Sequence, residues 1–581
     1  MSHANPKSDN LTLFKWILVS CLFIFTLVAG YLGFHRYMTE QGITFNWVRP
    51  LYRSVQLFAT EGGDFQGQVP IPGLLQAARF TAPVTAIVAI VFTLFAIFKE
   101  HVKRLKISFL RNHVVIIGLG TKGRNIMIDS RKNKEKVLVV EQDPLNPNLA
   151  SLRPRRCLFL EGNATNINVL IKARITRAKK VYLMMGDDSQ QVQVCILIYD
   201  LLNESEGGRE NPLECIMHLL NHDYLSILKK HSLVRNTKDG LSLNVFNLYE
   251  NSARGLFKDH PPDRTGISEK SNRYVQLIIF GFGQAGEALA LQYGLTGHYL
   301  NRKQTMPRMV VFDRHAREKI AAFKKKYPSF TTYCDISMET TEASSPQLIP
   351  ALETYLEDPD ALNTIVFCFD NKINNLMLGL QIDALKPADP KLPFQVFIRT
   401  GDNDSLDAIS RNLKPYGLPS RVCTLDAISG CDLDKMAQAV HDDYLKTRKK
   451  TAGFPSQASD VEWEELSEEF KDSNRKAADH MEVKMRSIGC EIVLKKDPRA
   501  ETEISPKELE LLAELEHYRW NAERSLAGWT YDSVKSNKTR TTPYLVNWED
   551  LPSDIQDYDR NAVANIPNVV KEAGMKIVRQ T

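Results

Sequence analysis

Twice along this chain of 581 residues, an apolar run ends in a glycine turn of the form Gly-x-Gly-x-x-Gly. The first is "VVIIGLGTKGRNIM", with Gly118, Gly120 and Gly123; the second is "LIIFGFGQAGEALA", with Gly281, Gly283 and Gly286. A strand feeding a helix through such a turn has few folds open to it. The first glycine permits the tight turn and the second lets backbone approach a pyrophosphate. The third lets the helix lie close on the strand, and the N–H groups at the helix start hold the anion. One such turn is weak evidence. Two are much stronger when each follows a strand, opens a helix and is followed by an acid at the end of the next strand. Those acids, suited to a ribose, are Glu141 and Asp313.

Short apolar runs surround both turns. "HVVII" (113–117), "KVLVV" (136–140), "CLFL" (157–160), "VYLMM" (181–185) and "ECIMHLL" (214–220) alternate with helical stretches. The series restarts with "VQLIIF" (275–280), "MVVF" (309–312), "TIVFCF" (364–369) and "FQVFI" (394–398). Continuous apolar strands joined by helices predict parallel sheets covered on both faces. A chain this long exceeds one core. The expected fold class is therefore α/β, with two tandem Rossmann-like domains at 107–265 and 270–430.

The two turns differ in charge. Lys122 and Arg124 flank the first and favour phosphate, whereas Gln284 and Glu287 flank the second, and Glu287 would oppose a pyrophosphate. A dinucleotide such as NAD(H), or another adenine nucleotide, is expected first in the first unit.

Two segments break the soluble pattern. Residues 16–34 and 82–98 carry no charge, and each is near the ~20 residues that cross a bilayer. The second is followed by Lys99, Lys103, Arg104 and Lys106, which places that end in the cytoplasm. The expected membrane domain is 1–106, with an outer loop over 35–80, both termini inside and most of the chain cytoplasmic at an inner (plasma) membrane. The outer loop contains "LYRSVQLFATEGGDF" (51–65), an amphipathic stretch running into a Gly-Gly turn; a pore helix and a peripheral helix both remain open for it, and the potassium-filter sequence Thr-Val-Gly-Tyr-Gly is absent. Nine cysteines, scattered singly without metal-ligand spacing, suit reduced thiols in a cytosolic compartment. The net charge of +5 argues against a nucleic-acid partner.

The C-terminal part repeats. Residues 463–493 align without a gap on 548–578, with nine identities that include Trp463/Trp548, Arg475/Arg560 and Gly489/Gly574. Upstream, "MAQAVHDDYL" (436–445) matches "LAELEHYRWN" (512–521), pairing His441 with His517 and Tyr444 with Trp520. An internal duplication over 434–494 and 510–579 follows. Only the second copy has the Gly528-Trp529-Thr530-Tyr531 turn, and there Arg524, Trp529, Tyr531 and Arg540 could clamp a nucleotide-like ligand.

"GLGTKG", Glu141, "EGNAT" (161–165) and "MMGDDSQQV" (184–192) resemble the nucleotide-binding half of RCK domains, which regulate potassium conductance and are shared with TrkA-type uptake subunits. That family usually has Gly-Asp-Ala-Thr where Asn163 stands here, so the resemblance places Asn163 beside the nucleotide. "HYRWNAERSLAGWTYD" followed by "TPYLVNWEDLPSDIQDYDR" is similar to the ryanodine-receptor repeat, or Ryr domain; 434–494 is a degenerate copy. The RCK resemblance implies a membrane-embedded, nucleotide-sensing regulator of cation flux, or a ligand-gated channel, working as a homo-oligomer (tetramer or dimer). The alternative is a signalling receptor whose Ryr repeats bind a small messenger. A NAD-dependent oxidoreductase ranks third, since no acid/base pair, HExxH, GxSxG or Walker A motif accompanies the turns.

Overall fold

The computed structural model describes every residue except 1–5, 61–69, 153, 154, 156, 205–210, 222, 223, 225–239, 304, 385–393, 401–412, 429–433, 451–453, 464 and 581. The chain forms two compact units, residues 1–110 with 150–153, and residues 111–149 with 154–581.

The first unit is a hairpin of two long helices, Pro6–Glu40 and Gly73–Ser108. Their stretches Trp16–Glu40 and Gly73–Leu94 are long and apolar enough to cross a membrane. Small residues let them approach: a Cβ on Gly33 would lie 2.7 Å from the backbone of Leu75. Thr26 Oγ1 donates to Thr81 Oγ1 at 2.9 Å across the pair. Between them Val48–Gln56 is helical and tightens into a 3₁₀ turn over Leu57–Ala59. Its Ser54 is buried against Gly30, and Phe58 meets Phe23 at 4.8 Å between ring centroids. The segment thus lies along the apolar part of the first helix, not across its end. The Glu61–Asp64 part of the Gly-Gly turn lies outside the described residues, as does part of the linker after Lys450.

The second unit contains two six-stranded parallel sheets. The first comprises β1 (His113–Ile117), β2 (Val137–Glu141), β3 (Leu158–Glu161), β4 (Ala178–Leu183), β5 (Leu213–His218) and β6 (Leu241–Phe246). The other comprises β7 (Tyr274–Phe280), β8 (Arg308–Asp313), β9 (Asp335–Thr340), β10 (Ala361–Phe367), β11 (Gln395–Arg399) and β12 (Leu413–Tyr416). Their orders are β3-β2-β1-β4-β5-β6 and β12-β11-β10-β7-β8-β9, the same doubly wound order read from opposite edges. Three strands do not stand out in the sequence. β6 ("LSLNVF") and β9 ("DISMET") interrupt their apolar runs with polar residues, and β12 ("LKPY") contains a proline, tolerated because the strand lies at the sheet edge.

The sheets share helices. Helix Leu248–Asp259, which follows β6, buries Ala253, Leu256 and Phe257 with Val275, Leu277 and Tyr293 in the core beneath the second sheet. In the other direction, the short helix Pro419–Val422 after β12 packs on helix Thr121–Lys132 of the first sheet.

The duplicated part packs as a pseudo-symmetric pair. One copy carries helices Lys435–Arg448 and Glu468–Ser487 and ends in β13 (Cys490–Leu494). The other carries helices Pro506–Leu526, Ser553–Ala564 and Ile566–Glu572. Its short strands β14 (Thr530–Tyr531) and β15 (Thr541–Thr542) pair with each other, and the copy ends in β16 (Met575–Arg579). β13 and β16 pair antiparallel with Ile492 opposite Ile577, which are themselves repeat mates, so a local two-fold passes between them. Inside the copies His441 Nε2 donates to the Val461 carbonyl at 2.7 Å, and His517 Nε2 to that of Val546 at 2.8 Å. Arg475 lies over Trp463 at 5.9 Å, as Arg560 does over Trp548 at 5.4 Å.

Candidate functional site

At the first turn, β1 ends at Ile117, just before Gly118, and helix Thr121–Lys132 begins after Gly120, its N-cap. Glu141, at the end of β2, accepts the Leu119 N–H at 2.7 Å and the Asn146 amide at 3.1 Å through Oε2, and the Asp143 N–H at 3.0 Å through Oε1. It braces the turn from the position expected of a ribose acid. Asn163 is exposed, and its Oδ1 accepts the Thr165 N–H and hydroxyl, each at 2.9 Å, so it shapes the loop after β3.

Lys122 does not stand free for a phosphate. Its ammonium donates to His218 Nδ1 at 3.0 Å. Burial lowers the Lys122 pKa. Burial, then the Lys122 charge, push His218 down to about 3.

At the second turn, Gly283 caps helix Gln284–Thr296. Asp313, at the end of β8, accepts the Phe282 N–H, the His315 N–H and the Lys319 ammonium at 2.8, 2.8 and 2.7 Å. Burial pushes its pKa up, but Lys319 and the two N–H groups outweigh that and hold it below the usual carboxylate range. Glu287 is paired with Lys326 at 2.9 Å, so its charge is neutralised locally. Lys122 is thus engaged by His218 and Glu287 has a counterion, so the difference in charge between the two turns rests on Arg124.

A cleft of about 940 Å³ opens at the C-terminal ends of the second sheet's strands, where doubly wound folds bind ligands. Gly283, Asp313, Lys319, Asn371 and Arg399 line it. Arg399 Nη1 donates to Asp370 at 3.0 Å, and the guanidinium lies 5.0 Å over the Tyr249 ring. Tyr249 belongs to the shared helix after β6, so a wall of this cleft comes from chain that the sequence assigns to the first domain.

In the second RyR-like copy, Arg524 lies over Trp520 at 5.5 Å and over Trp529 at 5.1 Å. Tyr531 is 62% exposed and Trp548 only 7%, the latter packed with Leu551 and Ala513. Arg540 serves the loop itself: its Nη1 donates to the Ala527 carbonyl at 2.7 Å, where helix Pro506–Leu526 ends. Of the four clamp residues, then, Arg524 and Trp529 meet, Tyr531 stands apart and Arg540 closes the helix end.

Buried charges gather where helix Glu468–Ser487 of one copy meets helix Pro506–Leu526 of the other. Lys484 meets Glu516 at 2.5 Å, and Arg519 meets Glu516 at 2.8 Å and Glu523 at 2.6 Å. Beside them His298 and His480 are buried, 5.9 Å apart between ring centroids. Burial, with Arg519 and Lys484 adding to it, pushes His298 down to about 4, and His480 is lowered by the same forces. Both rings are thus neutral in the fold, whereas in the unfolded chain they accept protons below about 6.5. Their stabilisation is complete above that pH and is lost as pH falls toward 4, by roughly 3 kcal/mol for His298 alone. Urea titrations from about pH 7.5 down to 4.5 should show the midpoint falling steeply, and His298→Phe should flatten the slope.

Lys319, Arg399 and Tyr249, which line the cleft, and His218, which meets Lys122, are residues of the candidate site that sequence reasoning missed. Lys319 alone left a signal, as a cation six residues after Asp313 on a helix that must start beside it.

The TrkA-N domain matches residues 114–233 and the RyR domain residues 504–579. An uncharacterized protein of Methanothermus fervidus is 25% identical over 201 residues, which is 32% of this chain and 29% of that protein's length. Among solved structures, GsuK bound to ADP is similar at 15% identity, covering 71% of this chain and 96% of that one with a TM-score of 0.38. The GsuK channel bound to NAD is similar at 12%, covering 87% and 90%, with a TM-score of 0.36. Residues 114–233 are thus a TrkA-N domain and residues 504–579 a RyR domain, carried on one chain behind two apolar helices.

Proposed function

We propose that this protein is a membrane-embedded, nucleotide-sensing regulator of the RCK class that itself conducts cations, potassium being the expected ion. The observation that carries it is the segment Val48–Ala59. It runs from the loop back along the first apolar helix until Phe58 reaches Phe23, midway through the uncharged run. Non-helical backbone at that depth is tolerated where it is buried in protein or lines a water-filled path, and we propose the second here, as for the turn after a re-entrant helix. One hairpin cannot enclose such a path, so the reading requires a homo-oligomer. The two glycine turns supply the sensing element, with NAD(H) or an adenine nucleotide as ligand. The RyR copy supplies a second input. The TrkA-N and RyR matches favour regulation over catalysis.

The test is potassium efflux from liposomes containing the full chain, with ADP, NAD or neither. Ligand-dependent efflux is the expected result. Nucleotide binding without efflux under any condition would favour the receptor reading, in which the Arg524–Trp529 pair takes a messenger and the hairpin signals by other means.

A further inference from the structure

The two copies of the duplicated module keep one arginine at the same place and treat it differently. Arg448 lies seven residues after His441 and four after Tyr444; Arg524 lies seven after His517 and four after Trp520. In the first copy Arg448 holds a carboxylate of its own chain. Its Nε donates to Asp460 Oδ1 at 3.1 Å and its Nη2 to Oδ2 at 3.0 Å, the forked geometry of a guanidinium–carboxylate pair. The Tyr444 hydroxyl donates to Oδ1 at 3.1 Å, and the N–H groups of Ser456 and Gln457 donate to Oδ2 at 2.9 and 3.0 Å. Asp460 is 5% exposed and stands three residues before Trp463.

In the second copy the residue three before Trp548 is Leu545, so no carboxylate stands there. Arg524 is held between the faces of Trp520 and Trp529, and its Nε is buried without a hydrogen-bond partner. The adjacent Glu523 is engaged by Arg519 at 2.6 Å, and among the described residues Arg524 makes no ion pair. The chain from histidine to tryptophan is also longer, 31 residues from His517 to Trp548 against 22 from His441 to Trp463, and the added stretch contains Trp529. A buried guanidinium nitrogen left unpaired is costly, and the repeat mate supplies what would satisfy it.

We infer that the RyR copy binds the oxyanion of a small molecule, a carboxylate or a phosphate, on Arg524 between Trp520 and Trp529, and that the degenerate copy has replaced this ligand with its own Asp460. The inference deepens the reading of the RyR repeat as an input and is independent of nucleotide binding at the glycine turns. The indole faces hold the guanidinium by cation–π contact and leave its in-plane N–H edge to the ligand.

Phenylglyoxal labelling of the full chain, read at single arginines by mass spectrometry, tests this directly. Without additives Arg524 should label faster than the paired Arg448. Inorganic phosphate, AMP, acetate and benzoate are the probes, and adenosine is the neutral control. Protection of Arg524 by phosphate and AMP alone identifies a phosphate ligand; protection by acetate or benzoate alone identifies a carboxylate. Leu545→Asp should return to the second copy the carboxylate of the first, and slow Arg524 labelling about tenfold with no additive. Arg448→Gln should leave the protection unchanged. The inference is overturned if no oxyanion slows Arg524, if all exposed arginines slow together, or if a folded Leu545→Asp protein labels like the wild type. Calorimetry with ADP on the same samples reports the glycine turns separately, so either reading can fail alone.

Discussion

Arg254→Ala is expected to destabilise the second unit by about 3–5 kcal/mol, the cost of removing one partner from a buried ion network. Arg254 projects from the helix after β6, is mostly buried, and forks onto Asp479 through Nε and Nη2 at 2.8 and 2.9 Å. Its Nη1 donates to Asp434 at 3.1 Å, and Asp434 also accepts from Arg475 at 2.8 Å. Both aspartates belong to the degenerate RyR-like copy. Gln292, on the helix that begins at the Gly281–Gly286 turn, donates to Asp479 at 3.0 Å. This network is therefore a structural link between the second glycine turn and the duplicated module. Without Arg254, Asp434 keeps one cation and Asp479 keeps a neutral amide, both poorly solvated. Chemical denaturation should show a lowered midpoint or a separate early transition of the C-terminal part. The exposed Lys303–Asp360 pair is the control, and Lys303→Ala should cost less than about 1 kcal/mol. Arg254→Met with Asp479→Leu should recover much of the loss, since it removes charge from both sides.

The legible parts of this fold were those fixed by local pattern. Nine strands announce themselves as apolar runs because both faces of a doubly wound sheet are covered. The duplication is visible because Trp463/Trp548 and Arg475/Arg560 make the same contact in each copy. The shared helices were not legible. Leu248–Asp259 follows β6 in the chain, and nothing in its sequence says that Leu256 and Phe257 belong beneath the other sheet.

Site residues divide in the same way. Glycines and strand-end acids lie at fixed offsets and could be assigned, and both acids do brace their turns. The partners of the charges near the turns were not legible, because a long side chain chooses partners across the fold: Lys122 reaches His218, 96 positions away, and Lys326 reaches Glu287. Arg540 sits close enough to Trp529 in sequence to suggest a clamp, yet the Ala527 carbonyl at the helix end takes it.

Substitutions in the glycine turns should separate folding from binding and assign the nucleotide to a unit. A Cβ on Gly123 would lie 2.0 Å from the Gly118 carbonyl oxygen, and one on Gly286 would lie 2.6 Å from that of Gly281. These contacts are to backbone, so Gly123→Ala must push helix Thr121–Lys132 off the strand, and we expect an unfolded first sheet or insoluble protein. Gly286→Ala should act in the same direction with a smaller effect. Gly120 and Gly283 are different: a Cβ at either meets nothing within 4 Å, and both have extended backbone that any residue adopts. Each is the N-cap of its helix, where aspartate is among the preferred residues. Gly120→Asp and Gly283→Asp should therefore fold and melt like the wild type. Each places a carboxylate where a pyrophosphate would sit, a like-charge contact worth several kcal/mol, or about a hundredfold or more in affinity. Calorimetry with ADP and NAD on the two variants then reads the site directly. Loss in Gly120→Asp alone places the nucleotide in the first unit, loss in Gly283→Asp alone places it in the cleft lined by Lys319 and Arg399, and loss in both requires two sites. Unchanged affinity in two folded variants would remove the glycine turns from the sensing mechanism and leave them as turns.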